Sequence, residues 1–372
     1  MVASQVTDSS FANIPGPVHG GDWQGAVERY GWQPDEIFDF SANINPLGVP
    51  ESVLEVLQSN LKAVERYPDP ACRQLKKALA TYLELEPEMI IAANGAVELI
   101  YLFCQTYKPR RVLVVEPTFG EYRHAARVCG AEVVDIKLKP AAGFVLDLVC
   151  WQKKLAGVEL AFLCNPNNPT GQLLEADLLQ ALVATCQKQG VFLLIDESFL
   201  DFVPGWRQIT CAPEAVNGKG VFIIRSLTKI FALPGLRLGF GIASPEIIRV
   251  LENRRQPWSV NILAQMAGVA ALADDNYLKA SRELIRQEKE YLYQELASLK
   301  GLNPFYPEVN YILTDISASG WTAPRLANAL AREKILIRDC SSFVGLGPGF
   351  IRTAVRGRQA NEKLLTALQF YL

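Results

Sequence analysis

The sequence predicts an α/β protein: a large domain with a mostly parallel central sheet flanked by helices, and a smaller α+β domain beside it. Three observations carry that expectation. Short β-rich apolar runs alternate with longer amphipathic segments. Polar and glycine-rich pieces follow directly after those runs, where open α/β sheets bind ligands. From about Gln256 the pattern changes to a long charge-studded helical stretch, two short strands and a last helix. With 372 residues and 49% hydrophobic content, the chain can bury two cores.

In chain order, the opening MVASQVTDSSFANIPGPVHGG reads as an arm that joins the small domain or crosses to a partner subunit. VLVVEP (112–117), ELAFLCNP (159–166), VFLLIDES (191–198) and VFIIRSL (221–227) read as strands, apolar enough to be buried on both faces. Segments 96–106, 121–129, 175–189 and roughly 245–256 carry helical spacing, as does 262–300. NYILTD and KILIRD read as the short strands of the second domain. The expected division is an arm with part of the small domain (1–45), a large domain (46–256) and a small C-terminal domain (257–372).

Charge and composition exclude several classes. A net charge of -2 from 37 basic and 39 acidic residues offers no global attraction to nucleic acid or an anionic membrane surface. No apolar run approaches a bilayer span, and no Lys or Arg precedes Arg29, unlike a transit peptide. The eight cysteines are scattered without a C-x-x-C pair and read as reduced residues of a cytoplasmic protein. Two histidines, His19 and His124, leave little for a histidine metal site or a Ser-His-Asp hydrolase. No metal is expected.

Several pieces after strands can carry chemistry. In IAANGAVELI, Asn94-Gly95-Ala96 leads into a helix whose first N–H groups lack internal partners, so it is either a phosphate cradle or a plain strand-to-helix turn. LIDES ends a buried strand on Asp196, which either faces a positive ligand group or caps the next turn. It resembles a Walker B strand, but the chain has no G-x-x-x-x-G-K-[ST], and no G-x-G-x-x-G follows a strand. CNPNNPTG (164–171) is dense in turn formers, and is either a rigid surface turn or a mount that aims an amide at a ligand.

RSLTKIFALPGLRLGFG (225–241) sets Lys229 among apolar residues just after a strand. A lone lysine there would snorkel or pair. Ser226 and Arg237, however, supply a hydroxyl and a guanidinium suited to a phosphate, and burial beside a second cation makes a lysine a usable nucleophile. A nucleophilic lysine, a phosphate cradle, a strand-end acid and an aimed asparagine together describe a site for pyridoxal 5'-phosphate.

These motifs, S-x-T-K with the following G-x-R-x-G, the NPNNPTG turn and the strand-end aspartate, resemble the fold-type I pyridoxal phosphate-dependent aminotransferase superfamily (class I/II) from about His19 to the last helix. The resemblance implies that Lys229 carries the cofactor as a Schiff base and that Asp196 pairs with the pyridine nitrogen. It places Asn168 on the ring's phenolic oxygen and Phe119 on the ring face. Ser226, Arg237 and the backbone of Gly95, Ala96 and Val97 hold the phosphate. Arg352, in GFIRTAV, is the substrate-anion arginine. Tyr67, in ERYPDP, is similar to the tyrosine that reaches the neighbouring subunit's cofactor, which implies a homodimer with shared active sites.

Within that superfamily the chain resembles two branches acting on small phosphorylated substrates: histidinol-phosphate aminotransferases and, more closely, threonine-phosphate decarboxylases of cobalamin biosynthesis. VHGGD with His19, DFSANINPLG (39–48) with Asn43, LIRDCSSFVGLG (336–347) with Arg338, and the second arginine of IRTAVRGR, Arg356, are similar to the decarboxylases. So is DESF, where Phe199 stands in place of the tyrosine that most aminotransferases carry. Phe199 is otherwise a packing choice, Arg356 a solvated residue and His19 a turn of the arm. A pyridoxal-binding regulator is disfavoured: too few residues precede His19 for a DNA-binding domain, and the charge is slightly acidic.

Overall fold

The structure is a computed structural model that describes residues 16–218 and 220–372; the first fifteen residues of the expected arm lie outside the described residues. After a two-residue strand β1 (Phe38–Asp39), one seven-stranded sheet is formed by β2 (Ile90–Ala93), β3 (Arg111–Glu116), β4 (Glu132–Lys137), β5 (Leu160–Cys164), β6 (Phe192–Asp196), β7 (Val221–Ser226) and β8 (Gly239–Ile242). Its spatial order is β2-β8-β7-β6-β5-β3-β4. All neighbours are parallel except β8, which runs antiparallel to both β2 and β7.

The side-chain period of two divides each run between two cores. Leu113, Ala161, Leu193, Ile195 and Ile223 face one, while Val112, Val114, Phe162, Leu194 and Phe222 face the other. Helices cover both faces, which is why these runs look apolar throughout and not alternating. On the second face Phe103, from helix Ala96–Tyr107, stacks on Phe222 with ring centroids 5.2 Å apart. Burying each such side chain contributes about 1.5–3 kcal/mol.

The remaining strands, β9 (Asn303–Pro304), β10 (Tyr311–Asp315), β11 (Ile335–Leu336), β12 (Arg338–Asp339) and β13 (Phe350–Ala354), differ from the sequence expectation at one point. KILIRD, expected as one strand, is split at Ile337: β11 pairs in parallel with β1, whereas β12 joins the four-stranded sheet β12-β13-β10-β9. That split stitches the segment before residue 40 to the C-terminal part, and Ala354 N–H donates to Phe40 O at 2.8 Å.

Two helical expectations are also corrected. The stretch 262–300 is two helices, Ile262–Leu272 and Asp275–Ser298, broken where Asp274 accepts a hydrogen bond from Tyr277 N–H as N-cap of the second. The first of these is apolar nearly all round because it is packed against helices Glu51–Ser59 and Arg73–Leu83. The helix expected to reach about residue 256 stops at Glu252, before Pro257. Among the described residues no helix is long and apolar enough to cross a membrane, and no group of metal-ligating side chains occurs.

Candidate active site

A cavity of about 640 Å³ opens at the C-terminal ends of β5, β6 and β7. Asp196, the last residue of β6, is buried on its floor. Its Oδ1 accepts from Ser198 N–H at 2.8 Å and its Oδ2 from Tyr122 Oη–H at 2.7 Å. Burial raises its pKa; the Ser198 and Tyr122 hydrogen bonds and the nearby Lys229 oppose that shift.

Lys229 sits one strand over. Ser226 ends β7 and N-caps a single helical turn, Leu227–Ile230, with its Oγ accepting from Thr228 N–H at 3.3 Å. That turn presents Lys229 to the cavity and brings the Thr228 hydroxyl to 2.7 Å from Ser226 Oγ. Burial first, and then Arg237 and Arg352, lower the Lys229 pKa to about 8.

The turn before helix Ala96–Tyr107 has the cradle geometry. Gly95 lies at φ 81, and a Cβ there would stand 2.6 Å from Arg237 Nη2, so the guanidinium rests against bare backbone. A Cβ on Gly239 would stand 2.4 Å from Ala96 N, closing the cradle from behind. Nothing in the structure explains Gly235, the other glycine of the motif, which has open space around it. Ala96, Val97, Ser226 and Arg237 line this end of the cavity.

The NPNNPTG turn braces itself and its neighbour. Asn165 Oδ1 accepts from Leu174 N–H at 2.9 Å, while Asn167 accepts from Thr118 Oγ1–H at 2.9 Å and donates to Pro117 O at 3.0 Å. Two of the asparagines thus fix loops, and Asn168 is the one on the cavity wall. The bracing also sets Phe119, which lines the cavity edge-on to Tyr122 with centroids 5.6 Å apart.

Opposite stand two buried arginines. The β12–β13 register places Arg338 directly across from Arg352, so both project from one face of the small sheet. Arg352 donates through Nη1 to Asn168 Oδ1 and through Nη2 to Ser41 O at 2.9 Å, and its guanidinium lies 5.3 Å from the centre of the Tyr311 ring. Its Nε is buried without a partner, as is the Oδ1 of Asn43, another wall residue. Arg338 donates to Val18 O at 2.6 Å and Ser342 Oγ at 2.9 Å. His19 lies over the mouth, its Nε2 2.6 Å from Glu121 Oε1.

Two of the residues singled out in the sequence lie elsewhere. Tyr67 is 80% exposed and packs on Trp258 with centroids 4.7 Å apart, outside the cavity of its own chain. Arg356 is partly buried and is not among the residues lining the cavity; Asn361 bonds both its backbone N–H (3.0 Å) and its carbonyl (2.8 Å).

Sequence reasoning missed Tyr122 and Asn45. Tyr122 stands three residues after Phe119 in EPTFGEY, a helical spacing that could have marked it. Asn45 N–H donates to Lys229 O at 3.1 Å and its side chain to Ile230 O at 2.7 Å, docking the DFSANINPLG loop onto the lysine turn. No local signal marks that contact.

The family Aminotransferase class I and II matches residues 35–368, and the chain belongs to it. It is 38% identical over 352 residues to a threonine-phosphate decarboxylase of Salmonella typhimurium, covering 94% of this chain and 95% of the relative. It is 31% identical to a histidinol-phosphate aminotransferase of Methanopyrus kandleri over 96% of this chain and 94% of the relative. The crystal structure of a histidinol-phosphate aminotransferase from Clostridium acetobutylicum superposes with a TM-score of 0.83 at 32% identity, covering 89% of this chain and 98% of that one.

The protein is accordingly an enzyme of a pyridoxal phosphate-dependent family, with pyridoxal 5'-phosphate as its cofactor. The residues present fit that group: a cradle that a Cβ would fill, a buried carboxylate and a partly buried lysine of lowered pKa.

Proposed function

We propose that the protein decarboxylates L-threonine O-3-phosphate to (R)-1-amino-2-propanol O-2-phosphate, a step of cobalamin biosynthesis. The observation that carries this reading is Phe199. It lines the cavity beside Asp196 and Lys229 and packs edge-on to Tyr311 at 4.9 Å, so no hydroxyl stands where the related aminotransferases are expected to have one. The similarity to the Salmonella enzyme supports the same choice.

When bound, pyridoxal phosphate supplies a ring that accepts the electron pair released at the substrate α-carbon. The chain holds it through Lys229 Nζ, keeps a proton on the ring nitrogen with Asp196 and donates from Asn168 to the phenolic oxygen. Phe119 covers one ring face. The backbone N–H groups of Gly95, Ala96 and Val97, with Ser226, Thr228 and Arg237, hold the phosphate.

Arg352 and Arg338 would bind the two anionic ends of the substrate, with Asn43 and His19 completing the wall and Arg356 adding positive charge to the substrate-binding set. Anchoring both ends would fix the orientation of the bond from the α-carbon to the carboxylate and so select which bond breaks. Once the substrate's amine has taken its place, Lys229 Nζ would be free to deliver a proton to the α-carbon. We further propose a homodimer in which Tyr67 reaches the partner's cofactor phosphate, and the domain division at residues 45/46 and 256/257.

A second reading is histidinol-phosphate aminotransferase, favoured by the likeness to the Clostridium structure. There the same anchors would turn the α C–H bond to that position and Lys229 would move the proton to the cofactor. Incubating the holoenzyme separately with threonine phosphate, and with histidinol phosphate plus 2-oxoglutarate, and identifying the products tests one against the other.

A further inference from the structure

Asp196 reaches the cavity with both oxygens already engaged, one by the Ser198 backbone and one by the Tyr122 hydroxyl. Tyr122 is fully buried, its ring stacked on Phe162 at 5.1 Å with planes 12° apart and set edge-on to Phe119 at 80°. It enters from the first turn of helix Glu121–Val128, across the cavity floor from β6, and its hydroxyl meets Asp196 Oδ2 at 2.7 Å. The other oxygen takes Ser198 N–H. Cys164, at the end of β5, Lys229 and Tyr311 are further titratable neighbours of the carboxylate.

We propose that Tyr122 is a positioning residue that fixes the Asp196 carboxylate and keeps the proton it shares with the cofactor on the ring nitrogen. This rests on the reading that Asp196 faces that nitrogen. A proton between a carboxylate and a pyridine goes to the more basic partner. Buried in apolar surroundings, a carboxylate becomes the better base and would draw the proton to itself. Each hydrogen bond donated to the carboxylate weakens it as a base and leaves the proton on nitrogen, where it makes the ring an electron acceptor. Tyr122 supplies one such bond as a neutral donor, because burial first and then the adjacent Asp196 charge hold its own pKa well above 10.

The Phe119 and Tyr122 pair therefore has two tasks from one helical turn: the first ring covers the cofactor, and the second sets the charge beneath it. Removing only the hydroxyl separates these tasks, since Tyr122→Phe retains the stacked ring.

The test uses holoenzyme loaded with pyridoxal phosphate carrying a nitrogen-15 ring label. Borohydride trapping at Lys229 first establishes that both wild type and Tyr122→Phe hold the cofactor, and the nitrogen-15 shift then reports where the proton lies. In Tyr122→Phe the signal should move towards the unprotonated value at fixed pH, and kcat should fall about tenfold with KM nearly unchanged. A protonated nitrogen signal identical to wild type in trapped Tyr122→Phe would overturn the role of Tyr122 and leave the cofactor site standing. Absence of trapping in wild type would overturn both readings at once.

Discussion

Lys229 is partly buried, and the loss of water around its amine, followed by the charges of Arg237 and Arg352, makes its protonation costly and the amine reactive near neutrality. In cofactor-free protein the neutral, nucleophilic form should appear as pH rises through about 8, far below the ordinary lysine range. The rate at which apoprotein captures pyridoxal phosphate should therefore climb through that window and level off above it, measured by growth of visible absorbance; a climb that begins only near 10 would mean the lysine is not desolvated. Lys229→Ala should remove the borohydride-sensitive absorbance altogether. Asp196→Asn should retain cofactor yet lose most turnover, because a neutral amide does not hold a proton on the ring nitrogen; turnover near wild type would give that task to another group. At this scale the sequence was highly legible where chemistry is written in contiguous motifs, as around Lys229 and Asn168. It was opaque where a contact joins residues far apart, as Tyr122 and Asp196 do across 74 positions.

Elements succeed or fail here by how closely two backbones approach. The turn into helix Ala96–Tyr107 lies against β8 so tightly that Gly239→Ala must push the cradle outward, since its Cβ would sit 2.4 Å from Ala96 N. Overpacking of this kind costs about 1–3 kcal/mol, and we expect a lowered melting temperature together with weaker cofactor binding. Gly95→Ala strains a φ of 81 and crowds Arg237. It should weaken cofactor binding at least about tenfold with a smaller effect on cofactor-free stability, measured by equilibrium titration of apoprotein. The strands of the large sheet were legible because they are buried on both faces and bounded by turns. KILIRD was misjudged because six residues that look like one strand are shared between two partners, and Ile337 marks a change of neighbour that no local pattern records. The break at Asp274 was written as an N-cap, but the charged helix that follows obscured it.

At the scale of the whole molecule, the cavity draws on the large sheet, on the loop holding Asn43 and Asn45, and on the small sheet carrying Arg338 and Arg352. Tyr67 points its ring to the outside with Trp258, Leu61 and Val64, all unusually exposed for apolar residues. If a second copy covers them, mixing subunits inactivated by Lys229→Ala with subunits inactivated at Tyr67 should restore one intact site per mixed dimer; no recovery after confirmed subunit exchange would count against sharing. The sequence carried Tyr67 only through its motif, because the role proposed for it lies on another chain and would leave no trace in the packing of its own.

The central claim is about which bond breaks. Threonine phosphate offers a carboxylate and a phosphate to two buried arginines, and Phe199 removes a hydroxyl from the wall, so carbon dioxide should leave with no oxoacid present. Arg352→Ala should weaken use of threonine phosphate by about 2–5 kcal/mol in kcat/KM where its partner stays buried, and Arg356→Ala by less, since it is not among the residues lining the cavity. The most direct measurement is carbon dioxide release from threonine phosphate by purified holoenzyme without any oxoacid. Release should be stoichiometric with formation of aminopropanol phosphate. Amino transfer from histidinol phosphate to 2-oxoglutarate, with no carbon dioxide from threonine phosphate, would contradict it.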